Sequence, residues 1–182
     1  MLIHPDTSCL LVIDVQSRLL PAVLDSDQVE KSICDLIRIA AQLKVPVAYS
    51  EQYPKGLGPT SDGVLAALPK AAIRLEKLSF SCVADAKCSQ QIHDLKQKQV
   101  VVCGMETHVC VLQTAVDLKR QGYEVFVVAD AVSSRSLLNK TLGLERMRDL
   151  GIQIVSREML AFEWLQQAGT DEFRAISKEY LK

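Results

Sequence analysis

The stretch VVCGMETHVCVLQTAVDLKRQGYEVFVV, residues 101–128, sets two valine-rich runs on either side of a segment with helical spacing. β-branched runs favour strands, and apolar residues every third or fourth position favour a helix with one buried face. Strand, helix and strand in that order predict a parallel pair joined by a crossover helix. Cys110 falls six residues after Gly104, near the start of that helix. It is either a small apolar residue filling a core or a nucleophile held at the mouth of a sheet.

The same alternation extends in both directions. Strands are predicted at 8–14, 45–51, 71–77, 99–104, 123–130 and 152–156. Helices are predicted at 27–43, near 85–98, 108–121 and 137–150, with a short one at VLAAL and two more towards the C-terminus. A Gly/Pro-rich loop occupies 52–63. Strands apolar on both faces and separated by helices imply a mostly parallel six-stranded sheet covered on each side, in one domain over residues 1–182. Such sheets bind ligands at the carboxyl ends of their strands.

Composition narrows the function classes. Of 182 residues, 48% are hydrophobic and 24% charged, with a formal net charge of −1. That balance suits a globular protein and offers no electrostatic footprint for nucleic acid. The N-terminal run MLIHPDTSCLLVIDVQ lacks a basic leader region and reads as a buried strand rather than a signal peptide. Nothing approaches the roughly 18 apolar residues of a membrane span. The six cysteines show no secreted-domain spacing, which suits free thiols in a reducing, cytoplasmic setting. No CxxC occurs and the histidines lie far apart, so no structural zinc site is expected.

Three strand ends carry chemistry. Asp14 follows LLVI directly, so its carboxylate stands at the edge of an apolar layer and needs partners or an altered pKa. Lys77 shares a face with Ile73 and Leu75 if its strand alternates, so it either snorkels to water or pairs with an acid. Cys110, near a helix start, gains thiolate stabilisation there if it is not simply packed. His108 is two residues away and does not face Cys110 on a helix, which assigns it to the rim. The glycines of 56–63 match neither a phosphate-binding loop nor a dinucleotide fingerprint, and no GxSxG elbow occurs. The segment 160–169 offers an apolar stripe that fits subunit contact or core packing equally well.

Taken together, LLVIDVQ, RLEKLSFSC and the stretch from Val101 through DAVSSR resemble the isochorismatase-like cysteine hydrolase superfamily. The most specific part is G-x-x-T-x-x-C at 104–110, and EQYPKGLG at 51–58 is similar to the isochorismatase domain-containing branch. The resemblance implies a three-layer α-β-α, Rossmann-type fold, a catalytic triad of Asp14, Lys77 and Cys110, and a cis Met105–Glu106 peptide. The oxyanion site would then consist of the Glu106 and Cys110 amides. Gln16, Glu51, Gln52, Tyr53, Phe80 and His108 are the candidates for contact with a small-molecule substrate. Nicotinamidases of the superfamily hold a metal with an Asp-x-His pair after the second strand. This chain reads Glu51-Gln52-Tyr53 there, so no metal or other cofactor is expected. An intact cysteine favours C–N hydrolysis over the vinyl-ether chemistry of isochorismatase proper. A silent binding or interaction protein on the same fold, an isochorismatase-type vinyl ether hydrolase and a redox-sensing thiol protein are the rival readings. A homo-oligomer is expected, with neither nucleic acid nor membrane as partner.

Overall fold

The structure, a computed structural model, describes residues 1–181. The two valine-rich runs form β4 (Gln99–Met105) and β5 (Glu124–Ser133), which pair in parallel. Between them lie a π turn (Thr107–Val111) and α5 (Leu112–Arg120). Before them come β1 (Ser8–Ile13), α1 (Ser26–Gln42), β2 (Val47–Gln52), α2 (Pro54–Leu57), α3 (Asp62–Ala67), β3 (Ile73–Lys77) and α4 (Ala86–His93). After them come α6 (Leu137–Asp149), β6 (Gln153–Val155), α7 (Arg157–Leu165) and α8 (Asp171–Tyr180).

All six strands are parallel, in the order β3-β2-β1-β4-β5-β6. This is a three-layer α/β sandwich of Rossmann type. The chain winds outward from β1 to β3, returns to the middle, and winds outward again from β4. The crevice left where the winding reverses lies between the carboxyl ends of β1 and β4, where open parallel sheets bind ligands.

Alternation decides which side chain enters which layer. Leu10, Val12, Val101, Cys103, Phe126 and Val128 pack with residues of α1, α7 and α8. Cys9, Leu11, Ile13, Val100, Val102 and Val127 pack with residues of α4, α5 and α6, and Cys110 belongs to this second layer. Every residue of β1 and β4 is buried, which is why both read as unbroken apolar runs. Ser61, Asp85, Ser136, Ser156 and Thr170 cap α3, α4, α6, α7 and α8 through their side-chain oxygens.

Several boundaries differ from the sequence reading. β5 runs on to Ser133 because its ladder with β4 slips between Val102 and Gly104, leaving Asp130 exposed on the irregular part. Asp130 Oδ1 instead accepts the Arg157 amide at 2.7 Å. α4 stops at His93, and Lys96 takes a left-handed φ of 55° that turns the chain towards β4. The helix expected from 108 opens as the π turn. In 160–169, Leu160, Ala161, Trp164 and Leu165 enter the first core layer, so packing accounts for most of that apolar stripe. Among the described residues, no helix is long and apolar enough to cross a membrane.

Candidate active site

β1 delivers Asp14 to the crevice. The residue has a left-handed φ of 49°, and its side chain is fully buried. Lys77, the last residue of β3, keeps the alternation that buries Leu75. Strand β2 separates β1 from β3, so the long lysine stem spans the width of β2 to place Nζ 2.7 Å from Asp14 Oδ2. Neither side chain has any exposure. Burial, the largest single influence, would pull the lysine pKa down; the Asp14 charge and hydrogen bond, together with Cys82 and Cys110, outweigh it, and Lys77 is held above its ordinary value. The Ser50 hydroxyl, from β2, donates to Asp14 Oδ1 at 2.6 Å.

Cys110 enters from the other side of the crevice, in the π turn, and is 3% exposed. Its thiol donates to Gln52 Oε1 at 3.6 Å, a contact across to the end of β2. Burial pushes the thiol well above the usual cysteine range; Asp14 adds to the rise, and Lys77 only partly opposes it. This corrects the expectation of a helix-stabilised thiolate. Lys77 has already committed its charge to Asp14, and a buried sulfur anion lacks the water it would need. The thiol therefore rests protonated beside a carboxylate.

The loop that carries Cys110 starts with a close approach. Gly104 has φ 112°, and a Cβ there would overlap the Ile13 carbonyl oxygen on β1, so only glycine lets the two central strands end this near one another. The Met105–Glu106 peptide is cis. The Glu106 carbonyl accepts the amides of Val109 and Val111, at 3.1 and 3.2 Å, on either side of Cys110. The Glu106 carboxylate accepts the amide and Nε of Arg135 at 3.0 and 3.1 Å.

A family model, described as the isochorismatase domain, matches residues 8–159. The chain belongs to the isochorismatase family. Isochorismatase domain-containing protein 2 of Rattus norvegicus is 36% identical over 178 residues, covering 97% of this chain and 82% of the relative. The structure of the MAR1 ribonuclease from Caenorhabditis elegans superposes with a TM-score of 0.93 at 30% identity, over 100% of this chain and 93% of that one. The YcaC gene product of Escherichia coli, described as an octameric hydrolase of unknown specificity, superposes with a TM-score of 0.90 at 21% identity, over 97% and 89%. At that identity the last comparison carries the fold alone.

Within this isochorismatase-family frame, the remaining candidates divide. Gln52 reaches the thiol, while Tyr53 and Phe80 are half exposed. His108 Nδ1 lies 3.0 Å from Ser134 Oγ, on the β5 side of the crevice. Gln16 and Glu51 are otherwise engaged. The Gln16 side chain bonds the Gln52 amide and carbonyl and the Gly58 carbonyl at 2.8, 3.0 and 2.7 Å. Glu51 Oε1 accepts the amide and hydroxyl of Thr60, and Oε2 meets the Arg74 guanidinium. Burial works against ionising Glu51, yet the Thr60 donors and Arg74 together lower its pKa. Both side chains therefore hold the 52–60 segment in place and leave no free group for a ligand.

Sequence reasoning missed Ser50, Ser134 and Arg135. The last two lie in the DAVSSR motif and bond His108 and Glu106. Ser50 had one signal available: a small polar residue in a strand otherwise apolar towards the core, level with the end of β1. Among the described residues, no group of three histidine, cysteine, aspartate or glutamate side chains is placed to hold a metal ion. An open cleft of about 1130 Å³ lies at the amino end of the strands, lined by Ser89, His93, Lys98 and Tyr123 among others, and none of the catalytic candidates borders it.

Proposed function

We propose that this chain is a cysteine hydrolase of small, uncharged C–N substrates such as amides, in which Cys110 is the nucleophile, Asp14 the general base and acid, and Lys77 the group that fixes Asp14. The observation that carries this reading is the fully buried Lys77–Asp14 ion pair beside the buried Cys110 thiol. Burying two charges costs several kcal/mol per ion before their attraction is counted, and an apolar pair of similar volume is often as stable. A catalytic task gives the pair a reason to exist.

The chemistry then runs in two halves. As Cys110 Sγ bonds to the carbonyl-type carbon, its proton passes to Asp14, and the charge developing on oxygen meets the Glu106 and Cys110 amides. Asp14 returns that proton to the leaving nitrogen as the C–N bond breaks. Water then attacks the thioester-like intermediate and gives a proton to Asp14; as the C–S bond breaks, Asp14 passes that proton to sulfur, which restores both the thiol and the carboxylate. Because the thiol starts protonated, the base must act in concert with attack.

Three arrangements favour an uncharged substrate. Lys77 is held by Asp14, Arg74 by Glu51 and Arg135 by Glu106, so these cations at the strand ends are already matched. A dianion such as the vinyl ether isochorismate would need unmatched ones. The ribonuclease name belongs to the C. elegans neighbour; here the net charge of −1 favours a small molecule over RNA. The reading extends to one hydrolase domain over 1–182, metal-independent, in a reducing cytoplasmic compartment. It also includes self-association, for which α6 offers Leu137, Leu138 and Leu142 at 67, 67 and 52% exposure. The test is a hydrolysis screen over small carboxamides, ureas and related C–N compounds, with RNA and isochorismate as competitors and Cys110→Ala as the blank. Turnover of a C–N compound that vanishes in the blank is expected. Turnover that persists without the thiol removes the mechanism.

A further inference from the structure

We infer that Ser50 is a positioning residue for the Asp14 base, holding its carboxylate in plane beside the Cys110 thiol. The inference rests on the reading of Asp14 as the proton acceptor. Ser50 is 1% exposed and sits on β2, the strand between the two that supply the ion pair. Its hydroxyl donates to Asp14 Oδ1 at 2.6 Å, while Lys77 takes Oδ2 at 2.7 Å. The Asp14 amide in turn donates to both the Ser50 hydroxyl oxygen and the Ser50 carbonyl, each at 3.2 Å, so strand backbone and side chain lock together. Two donors on two different oxygens prevent the carboxylate from rotating, which the lysine alone cannot do.

The titratable groups that face this carboxylate are Lys77 from β3, Cys82 from the segment after β3, and Cys110 from the π turn. Cys82, fully buried, is pushed up to about 11 by burial and so stays neutral in the working range. Lys77 stays charged across that range. The donor whose removal leaves the local charge unchanged is therefore Ser50. A neutral donor to an ionised carboxylate stabilises the charged form, and its loss makes the carboxylate easier to protonate.

The readout is the rate of Cys110 alkylation by iodoacetamide against pH, followed by peptide mass spectrometry on the full chain. Wild type is expected to lose rate on the acid side, where the general base no longer takes the thiol proton. Ser50→Ala moves that acid limb up by about one pH unit, the size of one hydrogen bond to a charged group. Ser50→Cys, with a weak donor, moves it partway, and Ser50→Thr restores it. A merely structural serine would alter thermal stability and leave the limb in place. Asp14→Asn separates the two claims. If its profile keeps the wild-type acid limb, Asp14 is not the base and the parent reading fails. If Asp14→Asn loses the limb while Ser50→Ala and Ser50→Cys superpose on wild type, only the role of Ser50 is overturned.

Discussion

Asp14 and Glu51 stand at the carboxyl ends of neighbouring strands, both buried and both against a cation, and their oxygens are differently occupied. Glu51 is saturated: Thr60 fills one oxygen through its amide and hydroxyl, and Arg74 fills the other. An ionised carboxylate offers about four acceptor sites. Asp14 receives one side-chain donor on each oxygen, Ser50 and Lys77, and lies close enough to the Cys110 thiol to raise its pKa. A carboxylate with spare lone pairs beside an acidic hydrogen can take it, whereas a saturated one is a fastener. The cations differ in the same sense. Lys77 is fully enclosed, while the Arg74 side chain is 49% exposed and shares itself with Glu76.

The largest expected effect separates the two acids by rate. Asp14→Asn lowers kcat/KM by roughly 10²–10⁴-fold, the usual worth of a general base, with the loss in kcat. Glu51→Gln loosens the 52–60 segment and raises KM while kcat stays near wild type. Steady-state kinetics on any turned-over C–N compound checks both. A Glu51→Gln protein that is folded yet as slow as Asp14→Asn would erase the distinction.

Stability tells them apart next. Lys77→Met strands a buried carboxylate and should cost about 3–5 kcal/mol in urea unfolding. Replacing both partners, Asp14→Leu with Lys77→Met, should recover most of that loss without recovering activity. Arg74→Ala should cost only about 0–1 kcal/mol, because solvent already screens that pair. A double replacement no more stable than Lys77→Met would mean the pair holds the fold rather than the chemistry.

A smaller effect appears in the pH dependence of stability. Glu51 has its folded pKa below the unfolded 4.5, so its contribution is present above that value and lost as pH falls through the depressed one. Lys77 has its folded pKa above 10.5, so its contribution is full below 10.5 and lost as pH rises through the raised value. Unfolding free energy measured against pH should therefore have a shallower acid-side slope in Glu51→Gln, where Asp85 still contributes, and a shallower alkaline-side slope in Lys77→Met, where the buried cysteines still contribute. Exchanged or unchanged slopes would contradict the assignment.

How much of this was legible in the chain follows from the range of each interaction. The layers were, because side-chain period and helix period are local: Leu10 and Val12 against Cys9 and Leu11 is an alternation anyone can count. Asp14 and Lys77 were legible as strand-end residues and Cys110 as a residue near a helix start, and the family resemblance joined them. The protonation state of Cys110 was not, because it depends on how completely α5, α6 and the 52–60 segment exclude water, a tertiary fact. The roles of Gln16 and Glu51 were invisible for the same reason. Their partners, Gly58 and Thr60, lie in a loop whose path no periodicity encodes. The extension of β5 to Ser133 was missed because a slip in register leaves no trace in hydrophobic pattern.

The smallest expected effect is none at all, and it bears on Glu51 directly. The sequence resemblance puts the metal-ligand pair of nicotinamidases after the second strand, where this chain has Glu51, Gln52 and Tyr53. A carboxylate could serve as one ligand, but Glu51 already gives both oxygens to Thr60 and Arg74. Recruiting it for a cation would break those bonds and set Arg74 against the metal's charge. A catalytic zinc site usually takes three protein ligands, commonly histidines. The three histidines here are His4, His93 and His108; His93 lies at the end of α4, and His108 is turned to Ser134. Exhaustive chelation should leave hydrolysis unchanged, and added zinc should leave the thermal midpoint of the wild type unchanged, because no ligand set gains by folding around it. Glu51→Gln should behave identically in both assays. Activity that disappears with chelator, returns with zinc and is lost in Glu51→Gln would make Glu51 a ligand, and the two acids would then share the catalytic task.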